Sequence, residues 1–251
     1  VALTQAGSFS QANVGTGLAV TIADTLTNNS LGNYTLTQPT GFTANITAKP
    51  LTVTGVSAAN KVYDGTNTAS FTGGTLTGVV AADAANVTLT QAGTFSQTNV
   101  GTGLAVTTTD VLGGSAAGNY TLTQPTGLTA NITAKALTVT GTTVANKVYD
   151  ATTTATVSGG TLVGVVAGDT VALTQAGSFS QANVGTGLAV TIADTLTNNS
   201  LGNYTLIQPT GFTANITAAT ITVSIATQSK VYDSTNTCLL YTSDAADEED
   251  S

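Results

Sequence analysis

The chain has 251 residues, 41% of them apolar and 27 of them glycine, close to the make-up of a packed protein, yet only 7% are charged where about 25% is usual, and 55 are threonine. There is no His, Met or Trp, all five basic residues are lysine and the only cysteine is Cys238, which excludes His-based triads, Cys/His zinc sites, haem ligation and disulfide frameworks. Thirteen acids bring the net charge to -8 with no arginine to grip phosphate, which argues against a nucleic-acid partner, and no apolar run approaches the roughly 20 residues of a membrane span.

Taken in chain order, the sequence repeats itself. Val1 to Thr47 returns at Val171 to Thr217 with 46 of 47 positions identical, Thr37 against Ile207 being the exception, and Val87 to Thr133 is a gapless third copy at 35 of 47 positions. The lysine of a Lys-Val-Tyr-Asp motif marks the period at Lys61, Lys147 and Lys230, so one repeat is about 85 residues, long enough for a small core of its own. The predicted units are the C-terminal part of a truncated repeat (1–49), complete repeats at 50–135 and 136–219, the start of another truncated repeat (220–237) and a tail (238–251). Residues 1–49 lack counterparts of Leu51 to Phe71 and are expected to expose an unpaired edge and part of a core. Residues 50–135 contain every strand and turn signal once and are expected to fold as a unit. The tail holds the only cysteine, both glutamates and five of the thirteen acids. Its run from Cys238 to Glu248 resembles a translated sequencing adapter, so the tail is expected to be non-native and to add nothing to the fold.

Within each repeat the apolar residues alternate. Leu104 and Val106 flank Ala105, Tyr120 and Leu122 flank Thr121, Leu128, Ala130 and Ile132 follow one another at every second position, and Leu137 and Val139 flank Thr138. Period two predicts half-buried strands with an aliphatic face and a threonine face. Gly73-Gly74 and Gly159-Gly160 are read as tight hairpins, and Asn99 to Gly103 and Gln124 to Gly127 as further turns. Six or seven short strands per repeat predict an all-β chain of tandem small antiparallel β-sandwiches, immunoglobulin-like, with β-grasp-like repeats as the alternative. The connector Thr129 to Thr140 contains no glycine, so the last strand of one repeat should run almost directly into the first of the next.

The sharpest motif occupies Lys61 to Gly65, Lys147 to Ala151 and Lys230 to Ser234. It predicts a Tyr63 ring in the core with its hydroxyl on backbone, and an Asp64 that caps a turn by accepting a nearby backbone N–H. The competing reading is a Tyr/Asp pair that binds carbohydrate or protein. Because the next position varies among Gly65, Ala151 and Ser234, a required positive φ is not expected there. Asp64 with Asp83 and Asp150 with Asp169 share a nineteen-residue spacing, but neither glycoside hydrolysis nor calcium binding is supported without closely clustered acids. Gly15 to Val20, Gly101 to Val106 and Gly185 to Val190 lack the third glycine of a dinucleotide fingerprint and precede a strand, so they read as turns. Lys61 and Lys147 are candidates for an isopeptide bond only if an asparagine and an acid lie beside them. Asn-X-Thr triplets are expected by chance in so threonine-rich a chain. Eight of the twelve differences between the first and middle copies fall in Ile22 to Leu31 against Thr108 to Ala117, the best candidate for a variable loop.

Lys-Val-Tyr-Asp-Gly-Thr from Lys61, Gly-Asn-Tyr-Thr-Leu-Thr-Gln-Pro from Gly118 and Thr-Ala-Asn-Ile-Thr-Ala-Lys from Thr129 together resemble the YDG-type repeat of large bacterial secreted and surface proteins, the filamentous-haemagglutinin-like adhesins. The likeness covers residues 1–237, with Ala151 and Ser234 departing from the motif's glycine. It implies an extracellular or outer-membrane-associated location and a non-catalytic stalk or spacer, with neighbouring repeats of the same chain as partners and a host glycan or protein as a further possible one. The alternative is a repeated weak binding module that acts by avidity. No catalytic, cofactor-binding or metal-ligating residue is assigned.

Overall fold

A computed structural model describes residues 1–224 and 229–237, and the tail from Cys238 lies outside the described residues. The alternating segments form short strands throughout, interrupted by single 3-10 turns at Ala81–Asp83 and Ala117–Asn119, and the described chain is all-β. In the repeat at 50–135, the long strand Lys49–Ala58 pairs antiparallel with Phe71–Thr77 and parallel with Tyr120–Thr123. A second sheet runs Gly93–Phe95, Gly101–Thr108, Leu128–Thr133, Lys61–Val62 in that order, and Thr88–Thr90 pairs with Val111–Gly113 as a separate ribbon. The repeat at 136–219 follows the same plan, with Thr154–Ala155 widening its second sheet to five strands.

Purely antiparallel sheets were expected, and the structure corrects this. Lys49 pairs with Tyr120 and Lys61 with Ile132 at one constant offset, while Lys135 pairs with Tyr204 and Lys147 with Ile216 at another. The first and last stretches of each repeat therefore run side by side in the same direction. The cause is through-passage: the chain enters at one end of a repeat and leaves at the other, so both stretches advance the same way, and the strands between them form the crossover that parallel pairing needs. At the connector, Thr133 ends one strand and Lys135 begins the next with only Ala134 between them, as the glycine-free sequence predicted.

Gly73-Gly74 is not a hairpin turn but lies inside the strand Phe71–Thr77. Gly55, Gly73 and Gly74 have φ of 70°, 71° and 93°, and a Cβ on Gly73 would stand 2.2 Å from the Gly55 carbonyl oxygen, which no side chain tolerates. Both strands bend there together. Before the bend Leu51 and Leu76 pack under the first sheet, and beyond it Ala58 and Phe71 lie over the second.

Two apolar layers result. Leu51, Val87 and Tyr120 are buried between the first sheet and the ribbon, while Phe95, Val106, Ala130 and Ile132 line the second sheet. This second cluster also takes in Tyr63, and with it Leu137 and Tyr204 of the following repeat, so one core spans the connector. Cover decides burial at equivalent positions. Phe95 and Phe179 are 2% and 3% exposed, under Ala58 with Phe71 and Val144 with Val157, whereas Phe9 of the half-repeat has no such cover and is 43% exposed.

Candidate functional site

The Lys-Val-Tyr-Asp motif folds into the same turn three times. The Lys61 ammonium lies 2.7 Å from Asp64 Oδ1 and donates to the Thr66 carbonyl and hydroxyl oxygens at 3.0 Å each and to the Thr68 carbonyl at 3.2 Å. The Thr66 N–H and hydroxyl both donate to Asp64 Oδ1 at 2.9 Å, which is the turn cap expected of Asp64. Lys147 with Asp150 and Lys230 with Asp233 repeat the arrangement. Around Lys230 it forms although Tyr232 is 88% exposed, so the turn is held by its own ion pair and hydrogen bonds rather than by packing. Burial opposes ionisation of Asp64, but Lys61 and Thr66 outweigh it and hold the carboxyl below the usual range. At Asp150, Lys147 and Thr152 hold it at about 2. The ammonium groups considered for an isopeptide bond are occupied by these oxygens, with no asparagine among their hydrogen-bond partners.

The residue after the aspartate corrects the sequence reading. Gly65, Ala151 and Ser234 all have positive φ, at 79°, 63° and 57°. In all three copies the residue enclosed by the aspartate's bond to the N–H two residues on lies in the left-handed region, so the turn keeps this conformation even where the side chain is not glycine. Ala151→Gly is therefore expected to raise stability by about 0.5–1 kcal/mol, read as a higher urea midpoint at unchanged slope. A lower midpoint would refute the strain at this position.

Tyr63 does reach the core, but its hydroxyl leaves the repeat. It donates to Asp169 Oδ2 of the following repeat at 2.9 Å, with its ring edge-on to Tyr204 at 5.4 Å between centroids. The Tyr204 hydroxyl donates to the same carboxylate oxygen and accepts the Val166 N–H at 3.0 Å. Beside them the buried Asn203 accepts the Val100 N–H and donates to Asn99 Oδ1, both at 3.0 Å. Asn119 makes the equivalent bonds to Val14 and Asn13 of the half-repeat, and Asp83 accepts the Tyr120 hydroxyl at 2.6 Å. Each joint is thus a clasp of tyrosine, aspartate and asparagine.

Burial first, and then the bond to Asp169, raise the Tyr63 phenol above its ordinary pKa and push that of Tyr204 up to about 12, while at Tyr120 the bond to Asp83 leads and burial follows. A raised folded-state pKa gives stability that is complete below the free-tyrosine pKa of about 10 and is lost as pH climbs through the folded value. Alkaline titration should therefore show a phenolate component above pH ~10 that coincides with loss of tertiary circular dichroism. Ionisation confined to lower pH, with the fold intact, would contradict this.

The remaining candidates separate. In each nineteen-residue pair the first aspartate serves its turn and the second a tyrosine, and among the described residues no three His, Cys, Asp or Glu side chains are grouped to hold a metal. The Gly-Thr-Gly runs are β-bulges inside strands rather than turns: the register shifts between Gly101 and Leu104, and the Gly103 N–H donates to Asn131 Oδ1 at 2.8 Å. The loop that differs between copies does reach the joint. Asn198, Asn199 and Ser200 line a cleft of about 230 Å³ together with Asp169 and Asn203. Sequence reasoning missed Asp169 and Asn203 as joint residues, and also Asp110 and Asp194, which are buried and accept the Ala92 and Ala176 N–H groups. The available signal was the recurrence of Asn-Tyr and of Asn-Val at the same phase in every copy.

No helix among the described residues is long and apolar enough to cross a membrane. Neither the curated proteins nor the solved structures contain a match to the chain. The YDG domain, however, is found twice, at residues 47–127 and 133–211, which together make up well over half the sequence. Its namesake residues are accounted for by the geometry above: Tyr63 clasps the following repeat, Asp64 closes the turn and Gly65 takes its positive φ. On that match, the chain belongs to the YDG domain family.

Proposed function

We propose that these repeats form a non-catalytic spacer, a stalk that extends a binding region from a bacterial surface or secreted protein. The observation that carries the reading is the joint: one residue between strands, a shared core, and the Tyr63–Asp169 bond across it. Such a joint resists bending, because any change of angle must open a buried aromatic contact and a hydrogen-bonded carboxylate together. Two sheets per repeat, each lined by an apolar layer of its own, also favour a small immunoglobulin-like sandwich as the repeat's architecture. A compact 85-residue domain has a diameter of roughly 30 Å, so each added repeat should lengthen the particle by at least about that much. Small-angle scattering on arrays of two, four and six repeats tests this. A maximum dimension that grows as the cube root of mass would sink the stalk.

The polar cleft lined by Asn198, Asn199 and Ser200 favours a second reading, a weak glycan- or protein-binding module repeated for avidity. Glycan-array binding that disappears when this loop is exchanged for the middle copy's Gly113 to Gly118 would favour it over the spacer alone.

A further inference from the structure

Tyr63 and Tyr204 are joined by more than packing. Both hydroxyls donate to one atom, Asp169 Oδ2, and the rings meet edge-on at 5.4 Å between centroids, the only aromatic pair among the described residues. An ionised carboxylate oxygen offers more than one lone pair, so a single atom holds both phenols at once. The ring edges that carry the hydroxyls therefore converge, and with them the carbons ortho to each hydroxyl. Each tyrosine is 5% exposed, and the cleft of about 230 Å³ at the joint is lined by both of them and by Asp169.

The composition gives this pair a chemistry. Residues 1–237 contain no Cys, Met, Trp or His, so phenol is the most readily oxidised side chain they hold. An electron leaves a phenol most easily when its proton leaves too, and a carboxylate already bonded to the hydroxyl is placed to take that proton. The unpaired spin of the resulting phenoxyl is shared with its ortho carbons, and two such radicals held side by side couple there. Fixing both partners in one joint replaces a rare bimolecular encounter with a local one. A small or distant oxidant suffices, since only an electron has to reach it from the buried rings.

We propose that Tyr63 and Tyr204 are a modification site, which a one-electron oxidant converts to an ortho-linked dityrosine bridge between consecutive repeats. Each phenol gives one electron to the oxidant and its hydroxyl proton to Asp169. A carbon–carbon bond then forms between the two ortho positions, and the hydrogens on those carbons move to the oxygens as the rings regain aromaticity. The pair thus loses two electrons to two equivalents of oxidant and two protons, which pass through Asp169 to solvent at the cleft. The proposal rests on the geometry of the joint and is independent of the spacer reading.

Oxidation of the dilute full chain with photolysed ruthenium tris-bipyridyl and persulfate tests it, with monomer separated from crosslinked oligomers in denaturant. The monomer is expected to gain dityrosine fluorescence, to lose the mass of two hydrogens and to yield a crosslinked peptide pair holding Tyr63 and Tyr204. Tyr63→Phe and Tyr204→Phe should each abolish all three signals, while Tyr149→Phe, in the same motif but outside this pair, retains them. Phenylalanine keeps the ring, and circular dichroism of each variant before oxidation checks its fold. The same oxidation of the full chain in urea, where the two rings are apart, should leave the monomer at the level of Tyr63→Phe. Three results would overturn the proposal: a monomer without dityrosine while other tyrosines are oxidised, a bridge that maps to a different pair, or monomer fluorescence that survives Tyr63→Phe.

Discussion

Tyr63→Ala should cost about 3–5 kcal/mol, the range for deleting a fully buried aromatic ring, whereas Tyr149→Ala at the equivalent position should cost less than about 1 kcal/mol. The two tyrosines share sequence context, strand pairing and turn. They differ in what packs against them among the described residues: Tyr63 meets Asp169 and Tyr204 and is 5% exposed, and Tyr149, which meets no such pair there, is 41% exposed. Tyr63→Phe keeps the ring and should cost only about 1 kcal/mol, since Asp169 retains the Tyr204 hydroxyl. Urea unfolding of the three variants measures all of this. Equal losses at positions 63 and 149 would mean that the joint contributes nothing and that the ring acts within its own repeat.

The second large effect concerns cover. Phe95→Ala and Phe179→Ala each remove a ring from beneath a folded-over ribbon and should cost about 3–5 kcal/mol, while Phe9→Ala, with 43% of the residue in water, should cost less than about 1 kcal/mol. The sequence around all three is nearly the same, so the comparison isolates the covering strands. If Phe9→Ala were as damaging as the others, the ring would have to be buried in solution by something other than the described residues.

What the sequence revealed and what it hid divide along range of contact. Alternation of Leu104 with Val106 and of Leu128 with Ile132 gave the strands, and the absence of glycine between Thr129 and Thr140 gave the short connector, because both are local properties of the backbone. The Asp64 turn was legible for the same reason, since its bonds close within two residues. The positive φ at Ala151 was hidden because glycine is the usual sign of left-handed backbone, whereas here a turn closed by Asp150, Lys147 and Thr152 holds an alanine there. Gly73-Gly74 looked like a turn because a glycine pair signals left-handed backbone without saying whether the chain reverses or a ribbon bends. Asp169 was unreadable as a tyrosine partner: its two phenols come from residues 35 positions after it and 106 before it, and no local pattern carries that information. The parallel pairing escaped for a related reason, since period two reports which face is buried and not which way the neighbouring strand runs.

The side-by-side course of each repeat's entering and leaving stretches has a mechanical meaning. Tension applied through the chain draws Lys49 towards one end and Thr133 towards the other, so Lys49 to Thr52 and Tyr120 to Thr123 are pushed to slide along one another. The hydrogen bonds between them lie across the direction of pull and share the load at once, whereas an antiparallel hairpin pulled from its open end would give them up singly, like teeth of a zip. The same holds at Lys61 with Ile132, and again in the repeat that follows. A tether of such repeats meets force in shear at every link, and its resistance to stretching is set by strand direction rather than by how much each repeat buries.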